Sequence, residues 1–124
     1  YGLKSGSVAT SVAHDSHNII CVGTNDEDMA FAVNRIARNR GGIVVVENGQ
    51  VLAELPLEIA GIISGKPLRE VNTLLEDAKK AAHALGVGTD IDPFMTLSFM
   101  SLPVIPTLRL TTRGVVDVNT QQYV

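Results

Sequence analysis

Asn48-Gly49 stands between two strand-like stretches, Ile43–Glu47 and Gln50–Leu55. A two-residue turn whose twist suits paired strands needs positive φ at both positions, which Asn tolerates and Gly adopts freely. The dipeptide therefore predicts an antiparallel hairpin, which Pro56 closes.

The rest of the chain is read around that hairpin. Ser5–Ala13 alternates Val8, Thr10 and Val12 with Ala9, Ser11 and Ala13, a period of two with β-branched residues on one face, and predicts a strand. His14–Asn18 interrupts it with turn-forming polar residues, and Ile19–Val22 is a short buried strand. Thr24-Asn25-Asp26-Glu27 has capping-box spacing, with Thr24 as cap and Glu27 reaching back. The helix it opens carries Asp26, Glu27 and Asp28 at its positive end, an apolar face of Met29, Val33, Ile36 and Ala37, and Arg35, Arg38 and Arg40 towards its C-terminus. Gly41-Gly42 ends it.

Leu57–Ser64 is apolar and small, with one or two helical turns expected. Pro67 suits the first position of a helix whose stripe runs Leu68, Val71, Leu74, Leu75, Ala78, Ala82 and Leu85, closed by Gly86. Glu76 and Lys80 form an i,i+4 pair on its outer face. Gly86–Pro93 is a loop. Phe94–Leu102 fits helix or strand equally, and Leu108–Thr111 and Val115–Val118 are strands around Arg113-Gly114. The expected fold class is α+β, a single domain with a mixed or mostly antiparallel sheet and two main helices. Residues 19–47 could contain one parallel strand–helix–strand crossover.

At 124 residues the chain fits one domain, able to bury roughly 65% of the surface its unfolded form exposes. A hydrophobic share of 45% argues against disorder. The formal charge of −3, the absence of a basic run and the lack of Trp argue against nucleic-acid binding. The single cysteine, Cys21, cannot form an internal disulfide, so no oxidising compartment is called for and a cytoplasmic location is expected. No apolar stretch reaches the length of a membrane span.

Phosphate loops, dinucleotide fingerprints and nucleophile elbows are absent. Asp26-x-Asp28 begins like a calcium loop, but Ala30 breaks the ligand series. The densest chemistry lies in His14-Asp15-Ser16-His17-Asn18: two imidazoles, a carboxylate, a hydroxyl and an amide at a strand exit, where acid–base groups project into a cleft. The plain alternative is a polar turn. His14, Asp15, Ser16 and His17 are the candidate catalytic residues, with substrate positioning or proton transfer as their role and no metal ligation. Asp15 would orient one imidazole, and Ser16 and Asn18 would hold the loop by local bonds. Asp90-Ile91-Asp92-Pro93 before Phe94-Met95 is a weaker pocket wall, better read as a helix start with Phe94, Met95, Leu97, Phe99 and Met100 in the core. Asn25–Asp28 is explained by capping. His83 is expected at a core edge, and Cys21 as a small buried hydrophobe.

Longer strings carry a family resemblance. Ser11–Ile20 with Val22–Met29, Leu52–Leu57 with Ile59-Ala60-Gly61, Asp92–Phe99 with Leu102–Pro106, and Gly114–Asn119 run in order along nearly the whole chain. Together they resemble the C-terminal domain of microbial adenine deaminases, in the amidohydrolase superfamily. The resemblance implies a parent enzyme that hydrolyses adenine to hypoxanthine and ammonia in purine salvage or catabolism. It also implies a catalytic barrel domain as partner, manganese or iron as the parent's metal, and homo-oligomers as a further expectation. The barrel's His-x-His motif does not occur here, so the isolated chain is expected to be inactive. The chain opens on Tyr1 with strand pattern from residue 2, which suggests a piece whose preceding part is missing. The alternative is a structural or oligomerisation domain of an amidohydrolase with another substrate.

Overall fold

A computed structural model describes all residues, 1–124. Its central sheet has the order β2-β1-β3-β4, built from β1 (Ser7–Thr10), β2 (Ile20–Gly23), β3 (Gly42–Glu47) and β4 (Gln50–Pro56). Every neighbouring pair is antiparallel. Strands β2 and β3 both run against β1 and so are parallel to each other with β1 between them. The crossover allowed by residues 19–47 is thus realised around an intervening strand, with α1 (Asp26–Arg38) as its helix.

Helices cover both faces of this sheet. Ala9, Val44 and Val46 pack with Ala32 and Ile36 of α1 on one side. Val8, Ile43, Val45 and Leu55 pack on the other side with Ala78 and Ala82 of α2 (Leu68–Ala84) and with Phe94 and Leu97 of α3 (Pro93–Ser98). This explains why Ile43–Val46 is a continuous apolar run: successive side chains enter opposite cores, and each buried Val or Ile contributes on the order of 1.5–3 kcal/mol. Gly42 closes the approach between strands, since at φ 134° a Cβ there would meet the Leu55 carbonyl oxygen. Leu102 leads from α3 into a second, three-stranded antiparallel sheet of β5 (Leu108–Thr111), β6 (Gly114–Asp117) and β7 (Gln122–Tyr123).

The hairpin forms where Asn48-Gly49 places it, with φ of 52° and 70° at the two turn residues. Beyond it, a bulge leaves Leu52 as the extra residue of β4.

Several local expectations shift. The cap of α1 is Asn25, whose Oδ1 accepts the Asp28 N–H at 2.8 Å; Thr24 instead donates to the Gly6 carbonyl. Ala32 lies in the core and Ala37 faces solvent, because the buried stripe is centred on Asp28, Ala32 and Ile36. Helix α1 ends with Arg40 in the left-handed region, ahead of the two glycines, and the Arg40 and Gly41 N–H groups reach back to Ala37 and Ile36. Residues 57–64 are not helical. Ile59 and Ile63 form an isolated antiparallel bridge around Ala60 and Gly61, both at positive φ. Pro67 is the cap residue of α2 and not its first turn. Glu76 pairs with Lys79 at 3.4 Å, not with Lys80, and Lys79 also reaches Asp92 at 3.0 Å. No helix is long and apolar enough to cross a membrane.

Candidate functional site

The link between β1 and β2 carries His14–Asn18, and its position is set by α3. Asp92 caps that helix, accepting the N–H groups of Phe94 and Met95, and Pro93 supplies a preset φ at its start. Burial pushes the Asp92 carboxyl up, but the bonds from Met95, Lys79 and Phe94 outweigh this and hold it below the usual carboxylate range. The segment resolved as helix, and Phe94 and Leu97 are core; Met95 and Met100 are exposed, contrary to their expected burial.

At its far end α3 presents the Ser98 carbonyl, which accepts the His14 N–H at 2.9 Å. The His14 imidazole stacks on the Phe99 ring, centroids 5.1 Å apart and planes inclined by 23°. Ser16 and Ser101 share a hydroxyl–hydroxyl bond of 2.9 Å. Within the loop, the Ser16 N–H reaches the His14 carbonyl and the His17 N–H the Ala13 carbonyl. Asp15 and His17 both adopt left-handed backbone, at φ 62° and 51°, a region that Asp and His populate more readily than most residues.

The structure therefore brings His14, Asp15, Ser16 and His17 onto one exposed loop anchored at three points to the α3 region. Asp15 Oδ1 lies 3.3 Å from His14 Nδ1, the partnership expected of it. Ser16 departs from expectation, reaching across the fold to Ser101 and not to local backbone. Asn18 turns towards a cleft of about 270 Å³ between β2 and β5, lined also by Ile19, Ile20, Met100 and Leu110. The exposed imidazoles and carboxylate can exchange protons or hydrogen-bond a polar ring compound brought to the loop. Within this chain no group of three or more His, Cys, Asp or Glu side chains is placed to hold a metal ion.

The other candidates fall to structural duties. His83 Nδ1 lies 3.1 Å from the Val87 carbonyl at the end of α2. Cys21 is half-buried; burial pushes its thiol up, partly countered by its contact with the Ser7 hydroxyl at 3.2 Å. Asp28 does more than serve the helix dipole. It is buried, and its carboxylate accepts the N–H groups of Gly49 at 2.8 Å and Asn48 at 3.1 Å. The Gly49 N–H, with Asn25 next, holds its carboxyl below the usual range. Arg35 clamps Glu54 with bonds of 2.8 and 2.7 Å, joining α1 to β4.

Phe99, Ser98 and Ser101 are the contributors that residue-type reasoning passed over, since none bears a titratable group. The readable signal was the Asp92-Pro93 helix start, which fixes where Ser98 and Phe99 arrive.

Comparison with known proteins follows the same boundaries. The family model described as "Adenine deaminase C-terminal domain" matches residues 1–122. The chain is similar to the adenine deaminase of Nitratidesulfovibrio vulgaris, 53% identical over 99% of this chain and 22% of that protein. It is similar to "Adenine deaminase 2" of Carboxydothermus hydrogenoformans, 53% identical over 96% of this chain and 21% of that protein. The adenine deaminase of Bacillus subtilis is 45% identical over 100% of this chain and 22% of its own length. The chain thus spans about one fifth of the length of the curated relatives it matches.

Proposed function

We propose, from a chain that belongs to the adenine deaminase C-terminal domain family, that residues 1–124 serve as the C-terminal domain of an enzyme that hydrolyses adenine to hypoxanthine and ammonia. The observation that carries this reading is the match, along nearly the whole of this chain, with the corresponding fifth of proteins named adenine deaminase. Their names favour adenine over another amidohydrolase substrate. By the same resemblance the whole enzyme would work in purine metabolism in the cytoplasm, with a catalytic barrel that binds manganese or iron. That metal would activate the attacking water. Within this chain no such group is placed to hold a metal ion, and its contribution runs through its own side chains.

In that enzyme the loop His14–Asn18 closes over the active site. The His14 and His17 imidazoles donate to or accept from the purine ring nitrogens, or move a proton there. Asp15 orients His14, and stacking on Phe99 fixes the plane of the ring. The bond between Ser16 and Ser101 keeps the loop from swinging away. Three anchors hold this exposed polar loop in place and support this role, since binding residues are often carried on loops positioned by a rigid scaffold.

The test is turnover of adenine by a full-length protein carrying this domain, beside the 124-residue chain alone. The reading expects hypoxanthine from the first and none from the second. No turnover by the full-length protein would overturn it. So would turnover by the isolated chain that survives chelation and contaminant controls.

A further inference from the structure

Five exposed apolar side chains gather around the cleft between β2 and β5 and on the adjoining face of the small sheet. Leu108 and Leu110 stand two residues apart on β5 and so on one face of the small sheet; they are 51% and 58% exposed. Val115 lies directly opposite Leu110 on β6 and is 38% exposed. Across the cleft beside β5, Met100 and Ile19 are 43% and 41% exposed. A cleft between a strand at the edge of each sheet, floored by such side chains, is an unusual thing for a domain to leave in water.

Charge is scarce over the same region. Of the chain's ten basic and thirteen acidic residues, only Arg109, Arg113 and Asp117 fall within residues 93–124. Depletion of charge around exposed Leu, Met and Val marks the core of a protein interface more than a solvated surface. The cleft also begins at Asn18, where the His14–Asn18 loop ends. Whatever covers this face therefore comes up against that loop.

We infer that the face formed by Leu108, Leu110, Val115, Met100 and Ile19 is the surface on which this domain docks against the remainder of its own longer polypeptide. The relatives argue for that occupant, since this chain accounts for only 22% of their length. A domain carried on a much longer chain meets the rest of it at high effective concentration, so a charge-poor face is covered in cis. The inference deepens the reading above by assigning the surface through which the loop is held over a site elsewhere in the protein.

Site-specific photo-cross-linking in a full-length protein carrying this domain tests it. A benzophenone amino acid replaces Leu110 in one preparation, Met100 in a second and Lys80, on the polar face of α2, in a third. The expected result is cross-linking within one chain, from positions 110 and 100 to peptides outside the domain. Yields should be on the order of tenfold above position 80, because an interface core excludes competing water. Cross-links joining two copies would overturn the proposal in favour of self-association. Yields at 110 and 100 no higher than at 80 would overturn it in favour of a free face. Adenine turnover of the unmodified protein is measured separately: cross-links in cis on a protein without deaminase activity would uphold this surface while overturning the functional reading.

Discussion

His14 rests its imidazole on the ring of Phe99, with the centroids 5.1 Å apart. Its N–H is held by the Ser98 carbonyl, one residue before that ring in sequence. Backbone and side chain of one loop residue are thus fixed by the last residue of α3 and by the residue that caps it. Stacked rings contribute about 0.5–1.5 kcal/mol beyond area burial, so Phe99→Leu in a full-length enzyme should lower turnover about two- to tenfold. The same protein should lose no more than a few degrees of melting temperature, since the stack is worth only about 0.5–1.5 kcal/mol and Phe99 is half-buried. Turnover unchanged in Phe99→Leu would show that the stack does not position His14.

The Asn48-Gly49 turn tests the fold. A Cβ at Gly49 would meet nothing within 4 Å, so substitution acts through the backbone alone. Gly49→Val forces a β-branched residue to φ 70° and should cost about 1–3 kcal/mol. Thermal denaturation of the two chains measures it. An unaltered melting temperature would contradict the type of turn described.

Asp28 ties that turn to helix α1, and its depressed pKa sets a sign for the acid response. Stability due to the carboxylate is complete above the ordinary aspartate value, about 3.9, and is lost as pH falls through the lower folded-state value. Asp28→Asn should therefore destabilise the chain at neutral pH and make its stability less sensitive to acid between pH 5 and 2, a range that brackets about 3.9. Urea denaturation across that range is the measurement. Parallel pH profiles for the two proteins would rule out the carboxylate as the acid-sensitive tie.

Much of this architecture was legible because it depends on local chemistry. Asn48-Gly49 marks a turn by conformational need, and the unbroken run Ile43–Val46 marks a strand with both faces covered. Other features depend on what a side chain meets in three dimensions. Asn25 caps α1 in place of Thr24 because Asp28, three residues on, completes a reciprocal pair while also serving a turn twenty residues away. Lys79 meets both Glu76 and Asp92, the second a contact with a residue that lies beyond the helix in sequence. Residues 57–64 keep Ile59, Ile62 and Ile63 at helical spacing yet form a bridge that rests on positive φ at Ala60 and Gly61, which spacing does not reveal. The candidate loop was readable as a cluster of polar groups, whereas its anchors Ser98, Phe99 and Ser101 lie over eighty residues away in sequence.

The most direct test of the account is the steady-state kinetics of His14→Asn and His17→Asn in a full-length protein carrying this domain, with metal content and melting temperature measured alongside. The account predicts a fall in turnover on the order of 10²-fold in at least one variant, with metal content and melting temperature nearly intact. Wild-type kinetics in both variants would make the loop a structural connection. Loss of metal in either would assign the imidazoles to a role that the account denies them.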